Sequence, residues 1–408
     1  MFQEVFMKKG SITSPQGFRA AGVACGIKKN GDPDLAFIEC DVPAVTAGVF
    51  TSNLVKGHSL QYTMQQVHNH RLARAVVINS GNANACVGET GDQNAREMAV
   101  TAAAAIDCAP EEVLLGSTGV IGVPLNMEVI NAGIKKAAAA LEDNIEAGHR
   151  ANLATLTTDT FAKETVTTLT LHNETVTLAG MAKGSGMIHL NLATMIGIIT
   201  TDVRITADCL QQLLSNAVYG TFNRVTVDGD TSCCDMILVL ASGLSKHPMI
   251  TNPQSPEAQL FLEKLIDVCT DLSRMIAKDG EGATKLVDIR VSGAATEADA
   301  YKAALAVAKS PLCKTALFGE DANWGRIINA VGYSGAQFDP EAVDILIGDV
   351  AVCRQGQGTG FSEAEAAAAL KKDEVTITID LNQGTRSDHF WTCDFSYDYV
   401  KINGSYRS

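Results

Sequence analysis

The chain has 408 residues, a formal net charge of −14, and 46% hydrophobic against 19% charged residues. That length buries a sizeable core in one large or two ordinary domains. The acidic surplus argues against nucleic acid as the main partner, because phosphate binding needs a basic surface, yet it leaves room for a local basic pocket for a small carboxylate. No apolar run approaches the roughly 20 residues that span a bilayer. The opening Phe2-Gln-Glu-Val-Phe-Met-Lys-Lys is too short and too charged for a signal peptide, so a cytoplasmic location and no membrane are expected.

In chain order, strands are predicted over 18–27, 35–40, 46–51 and 75–79, the last running into a Ser-Gly-Asn loop. Alanine-rich 92–106 reads as a helix starting near Gly91-Asp92, and 126–141 as a second, after a strand at 113–115. Segments 164–171 and 174–178 alternate polar and apolar residues around His172-Asn173 and read as a hairpin. A strand-like run, 195–199, is followed by a helix over 207–219, a buried strand over 236–241 and a long helix over 256–277. The remaining elements are a strand over 287–291, helices over 297–309 and 362–372, and strands over 374–381 and 389–401. Strand and helix mix without a clean βαβ repeat, so the fold class is α/β in the mixed α+β sense, a layered domain. The eleven cysteines contain no C-x-x-C pair, and adjacent Cys233 and Cys234 suit neither an ordinary disulfide nor shared metal ligation. They read as reduced thiols, mostly core filler.

The most informative stretch is Lys183-Gly-Ser-Gly-Met-Ile-His-Leu-Asn-Leu-Ala193-Thr194-Met. A threonine hydroxyl is a poor nucleophile without a base beside it. If the Ala193–Thr194 bond is cut, Thr194 gains an α-amine with a pKa of roughly 8, which can serve as the base for its own hydroxyl. On local sequence alone Thr194 reads rather as a β-branched residue opening a buried strand, the commoner role of such a threonine.

The wider pattern decides between these readings. It includes Gly17-Phe-Arg-Ala-Ala-Gly22, Gly48-Val-Phe-Thr-Ser-Asn53, Asn79-Ser-Gly-Asn-Ala-Asn-Ala85 and Gly116-Ser-Thr118-Gly119-Val-Ile-Gly122. Further along come Thr157-Thr-Asp-Thr160, Phe222-Asn-Arg-Val-Thr-Val-Asp-Gly-Asp-Thr-Ser232, Asp279-Gly-Glu281-Gly-Ala-Thr-Lys285, Asn323-Trp-Gly-Arg326 and Tyr397-Asp-Tyr-Val-Lys-Ile-Asn403-Gly-Ser-Tyr-Arg-Ser408. In number, order and spacing these resemble the ornithine acetyltransferases, the bifunctional glutamate N-acetyltransferases of arginine biosynthesis, over nearly the whole chain. One departure is Leu190-Asn-Leu-Ala-Thr194, where the family usually has Pro-Asn-Met-Ala-Thr.

The resemblance implies an αββα-type sandwich with a smaller accessory lobe. It implies self-cleavage into an α chain of residues 1–193 and a β chain of 194–408, forming one catalytic unit and assembling as a heterotetramer. The implied reaction passes acetyl from N-acetylornithine to glutamate through an acetyl-Thr194 ester, with Thr118 and Gly119 as the oxyanion hole. Read alone, Thr118-Gly119 is rather a simple turn after the strand at 113–115. Substrate contacts are carried onto Thr157, Lys183, Thr194, Glu281, Asn403 and Ser408; a strand over 397–402 is expected to dock the tail. No cofactor and no metal are expected, and acetyl-CoA stands as an optional co-substrate that separates bifunctional from monofunctional members.

Asp228-Gly-Asp-Thr-Ser232 is read as a structural turn, His68-Asn-His70 as surface histidines, and His189 as having a minor part at most. Two rivals remain at this stage. One is a related self-processing N-terminal-nucleophile amidohydrolase or aminopeptidase. The other is a nucleotide- or metal-binding protein using the glycine-rich loops, although the phosphate-loop pattern is not satisfied around Lys183.

Overall fold

The computed structural model describes residues 10–189 and 195–405. Among these the chain forms two compact units, one of residues 10–223 and 231–272, the other of 224–230 and 273–405.

The first unit is built on an eight-stranded mixed sheet in the order β4-β3-β2-β8-β7-β6-β5, with β1 also paired to β2. Its strands are β1 (Phe18–Val23), β2 (Leu35–Phe50), β3 (Leu72–Asn82), β4 (Val113–Val120), β5 (Lys163–Leu171), β6 (Glu174–Lys183), β7 (Ile196–Thr201) and β8 (Met236–Ala241). β2 is one long strand where two were expected. Its first half pairs with β1 and β3 and its second half with β8, and a register shift between Glu39 and Ala44 absorbs Pro43 between the halves. The expected hairpin is present, with both corner residues, His172 and Asn173, at positive φ as a tight two-residue turn requires.

The helices of this unit are α1 (His58–Asn69), α2 (Glu89–Ile106), α3 (Met127–Ala139), α4 (Ile145–Leu153), α5 (Ala207–Tyr219) and α6 (Pro256–Lys278), the last continuing into the other unit's residues. Strand alternation splits the apolar side chains between the two faces of the sheet. Leu35, Phe37, Ala75, Val77, Val113 and Leu115 pack with Met98 and Ala102 of α2 and Ile130 and Ile134 of α3. Ile38, Val76, Ile78, Leu114, Ile198 and Leu238 pack on the opposite side with Leu60 and Val67 of α1 and Ala151 of α4. Helices thus cover a sheet from both faces, which fixes the strand ends that carry the site.

The second, smaller unit holds a six-stranded mixed sheet, β12-β11-β10-β13-β9-β14. Its strands are β9 (Leu286–Ala294), β10 (Asp344–Ile347), β11 (Val350–Arg354), β12 (Gln357–Gly358), β13 (Glu374–Asp380) and β14 (Arg386–Cys393). Its helices are α7 (Glu297–Lys309), α8 (Pro311–Phe318), α9 (Trp324–Gly332), α10 (Glu363–Leu370) and α11 (Tyr397–Ser405).

α11 corrects the expectation of a strand through 401. The Ser396 hydroxyl accepts the Asp398 N–H and donates to the Gly282 carbonyl, which starts a helix there. Phe395 and Tyr399 then stack with ring centroids 4.5 Å apart, an i,i+4 contact rather than a β alternation.

All eleven cysteines are unpaired, and most are buried. No helix among the described residues is long and apolar enough to cross a membrane.

Candidate active site

The site of the first unit forms where β3, β4 and β6 end. β3 and β4 run parallel, with Ser80 opposite Thr118 and Gly81 opposite Gly119, and the register breaks just beyond. Gly119 has φ +129°, and a Cβ there would lie 2.4 Å from the Gly81 carbonyl carbon and 2.6 Å from Asn82 N. Only glycine permits this close backbone approach.

The neighbouring loop owes its asparagines to a buried polar network. Ser117 Oγ donates to Asn79 Oδ1 at 2.6 Å and lies 2.7 Å from Ser59 Oγ. Asn79 Nδ2 donates to the Asn82 carbonyl at 2.8 Å, Asn84 Nδ2 to Ser59 Oγ at 3.2 Å, and Asn84 N to Asn82 Oδ1 at 2.8 Å. A loop locked this way fixes the Thr118–Gly119 backbone, which is what an oxyanion site needs.

Lys183 is the last residue of β6, paired across the ladder with Ile196. It is 2% exposed, so it is not a solvated turn lysine. Its ammonium donates to Thr157 Oγ1 at 2.8 Å and to Thr118 Oγ1 at 3.4 Å. The structure therefore brings together three of the expected residues, Thr118, Thr157 and Lys183.

Asp159, quoted within Thr157-Thr-Asp-Thr160 but given no role by the sequence reading, organises them. Its carboxylate accepts from Lys163 Nζ at 2.7 Å, Gly184 N at 2.6 Å and Thr157 N at 3.1 Å, and stands 3.8 Å from Lys183 Nζ. Burial alone would push this carboxyl up, but the ammonium groups of Lys163 and Lys183 and the Gly184 N–H outweigh it and hold it well below the usual carboxylate range. The available signal was an acid four residues before a lysine inside a polar run, which is too common to single out. A second lysine, Lys28, donates to the carbonyls of Leu156 at 2.6 Å and Pro33 at 2.8 Å, tethering the segment before Thr157.

In the second unit Glu281 and Asn403 meet. Asn403 Nδ2 donates to Glu281 Oε2 at 2.7 Å and to the Tyr399 carbonyl at 3.0 Å. Glu281 is 6% exposed, so it is not a free loop acid. Gly282 has φ +70°, and a Cβ there would meet Tyr399 N at 2.5 Å, so glycine lets α11 approach Glu281. Ala193, Thr194 and Ser408 lie outside the described residues.

The other motifs resolve as local structure. Asp228 Oδ1 accepts Asp230 N at 3.1 Å, a turn of Asx type, and His68 and His70 are exposed at the end of α1.

A mixed sheet covered by helices here carries a glycine-dependent backbone site beside a buried lysine and threonine hydroxyls, an arrangement suited to holding charge on a carbonyl oxygen, as acyl transfer requires. The ArgJ family model matches residues 19–408. The arginine biosynthesis bifunctional protein ArgJ of Symbiobacterium thermophilum is 51% identical over 401 residues, covering 98% of this chain and 99% of that one. The protein of the same name from Bacillus thuringiensis subsp. konkukian is 45% identical, covering 98% of each chain. The crystal structure of that protein from Bacillus halodurans superposes with a TM-score of 0.50 at 47% identity, covering 51% of this chain and 98% of the solved one. The chain belongs to the ArgJ family, and it is an acyltransferase.

Proposed function

We propose that this chain cleaves itself between Ala193 and Thr194 and then acts as a glutamate N-acetyltransferase of arginine biosynthesis. In the first reaction Thr194 Oγ attacks the Ala193 carbonyl carbon, the C–N bond breaks, and the hydroxyl proton passes to the freed nitrogen. Water hydrolyses the resulting ester, leaving a chain of residues 1–193 and one of 194–408.

In turnover, Thr194 Oγ attacks the acetyl carbonyl of N-acetylornithine while the Thr194 amine takes the hydroxyl proton. Charge on the carbonyl oxygen is held by Thr118 and Gly119. The amide C–N bond breaks, the proton goes to the leaving amine, and ornithine departs. The glutamate amine attacks the acetyl-Thr194 ester, the ester C–O bond breaks, and a proton returns to Thr194. Lys183 takes the substrate carboxylate, and the family resemblance carries further substrate contacts onto Thr157, Glu281, Asn403 and Ser408. Acetyl-CoA as a second acetyl donor and assembly of the two chains as a heterotetramer belong to the same proposal.

The observation that carries this reading is the convergence of Thr118, Thr157 and Lys183, with Lys183 at 2.8 Å from one hydroxyl and 3.4 Å from the other. Family membership over almost the full chain supports it. Intact mass of the purified protein is expected to show fragments ending at Ala193 and beginning at Thr194, with Thr194→Ala a single inactive chain. Incubation with N-acetylornithine and glutamate should give N-acetylglutamate and ornithine, and repeating it with acetyl-CoA tests the second donor. An active enzyme that stays uncut would falsify the N-terminal amine mechanism.

A further inference from the structure

Cys233 and Cys234 are two thiols that the mechanism above does not use. They sit in the loop that leads into β8, are 4% and 5% exposed, and hold their Sγ atoms 3.5 Å apart. The loop around them is pinned. Thr51 Oγ1 donates to the Ser232 carbonyl at 2.9 Å, the Cys234 N–H to Ser232 Oγ at 3.2 Å, and the Gly57 N–H to the Cys233 carbonyl at 2.8 Å. Cys234 Sγ stands 3.6 Å from the Ala83 carbonyl oxygen, and both thiols cluster with Ala83, Ala85 and Ile121.

That cluster joins the thiols to the Thr118–Gly119 backbone. Ala83 lies between Asn82 and Asn84 of the polar network, and its N–H donates to the Val120 carbonyl at 2.9 Å, one residue past Gly119. The Cys233 and Asn84 carbonyls take successive N–H groups, of Gly57 and His58, at the start of α1. Ser59 of that helix is 2.7 Å from Ser117 Oγ. A Cβ at Gly57 would lie 3.2 Å from both the Ala83 carbonyl oxygen and Cys234 Sγ, so three segments close on one another here.

We propose that Cys233 and Cys234 are an oxidation site for a small peroxide, and that a disulfide closed between them switches acyl transfer off by pulling on the loop that holds Thr118 and Gly119. The control of activity rests on the reading of Thr118 and Gly119 given above; the oxidation itself does not. The Cys233 thiolate attacks one oxygen of hydrogen peroxide. The S–O bond forms, the O–O bond breaks, and the departing hydroxide takes up the proton the thiol gave up. Cys234 Sγ then attacks Cys233 Sγ. The S–S bond forms, the S–O bond breaks, and hydroxide leaves as water with the Cys234 proton. Two thiols lose two electrons, and the peroxide becomes two waters.

The 3.5 Å separation already puts the resolving thiol in place. Turned towards Cys233, the Cys234 S–H draws the Cys233 thiol below its ordinary value against the effect of burial, and the same contact raises that of Cys234. Neighbouring Cα atoms stand about 3.8 Å apart across a trans peptide, short of the roughly 4.4–6.8 Å that disulfides span. The bridge is therefore strained and readily reduced, and it cannot close without reshaping the 233–234 peptide whose carbonyl holds Gly57 N. Burial keeps bulky oxidants such as glutathione disulfide away and leaves a small peroxide as the reagent.

In the test the purified enzyme is treated with hydrogen peroxide, remaining thiols are blocked with N-ethylmaleimide, and the digest is mapped by mass spectrometry. Transfer from N-acetylornithine to glutamate is assayed before treatment, after it, and after dithiothreitol. A peptide carrying Cys233 and Cys234 is expected unblocked and lighter by two hydrogens. In proportion to the bridged fraction, kcat should fall by at least about fivefold at full bridging and return with dithiothreitol. C233S should keep kcat within about twofold of parent and be unaffected by the same treatment.

Any other state of these two thiols after peroxide overturns the proposal, as does a smaller loss of kcat with the bridge in place. A C233S variant that loses activity in peroxide like the parent overturns it too. If C233S does not fold, the mapped bridge and its reversal in the parent decide alone. A reduced parent that makes no N-acetylglutamate removes the functional reading and the control of activity with it, whereas an active parent that bridges without loss removes only the switch.

Discussion

Asp159 faces two ammonium groups that water does not reach: the side chains of Asp159 and Lys163 are 0% exposed and that of Lys183 is 2% exposed. Removing one partner of such a set costs far more than a surface ion pair, because the remaining charges stay desolvated. Asp159→Asn keeps the shape and removes the charge, and it is expected to lower stability by about 3–5 kcal/mol at neutral pH. The pH dependence has a definite sign. The folded-state carboxyl sits below its unfolded value, so its contribution is complete above the ordinary Asp pKa of about 3.9 and is lost as pH falls towards the folded value. The stability gap between parent and D159N, read from denaturant melts, should therefore be widest above that pH and narrow below it. A gap that stays constant through the acid range would show that Asp159 acts only by shape. The sequence made Lys183 and Thr118 visible through a family pattern, but not Asp159, whose importance lies in which buried cations surround it.

At the scale of elements, legibility followed the chemistry of the buried face. α5 and α7 were readable because leucine, alanine and valine recur at helical spacing along their buried faces. α1 was not. Its buried face includes Ser59, Thr63 and Gln66, and the hydroxyls of the first two are spent on Ser117 and the Leu115 carbonyl. α4 buries Ala147, Gly148, Ala151 and Asn152, which leaves no apolar period to detect. At the C-terminus, Tyr-Asp-Tyr-Val imitates a strand until the contacts of Ser396 with Gly282 and Asp398 start a helix. That dependence gives a prediction. Gly282→Ala would place a Cβ 2.5 Å from Tyr399 N and 2.8 Å from the Asp398 carbonyl carbon at φ +70°. The substitution is expected to cost about 1–2 kcal/mol from backbone conformation alone, with α11 displaced in addition. Because α11 carries Asn403 to Glu281, KM for N-acetylornithine should rise more than kcat falls. A variant with parent melting temperature and parent KM would show that the helix tolerates the shift.

For the molecule as a whole, an acetyl-threonine ester is exposed to water at bulk concentration and must still be given to glutamate. Selectivity of that kind comes from an oriented acceptor amine and excluded water. Chain ends are commonly frayed, but α11 is held through Ser396 to Gly282 and through Asn403 to Glu281. Deleting residues 403–408 removes Asn403 and everything beyond it while leaving the Ser396 contact in place. Self-cleavage should proceed almost unchanged in this truncation, since that step uses the chain's own bond and no free substrate. Transfer should not: the deletion removes a partner of Glu281 and two expected substrate contacts, so KM for N-acetylornithine is expected to rise by about tenfold, the loss of one or two hydrogen bonds to a charged ligand. The ratio of acetate to N-acetylglutamate should rise as well, because an acetyl-enzyme that binds glutamate poorly has longer to meet water. Mass spectrometry of both products, alongside the fragment masses of the truncated protein, separates the two steps. Normal cleavage with a raised KM and more acetate places the tail at the substrate, whereas unchanged kinetics and product ratio would remove the last six residues from the site.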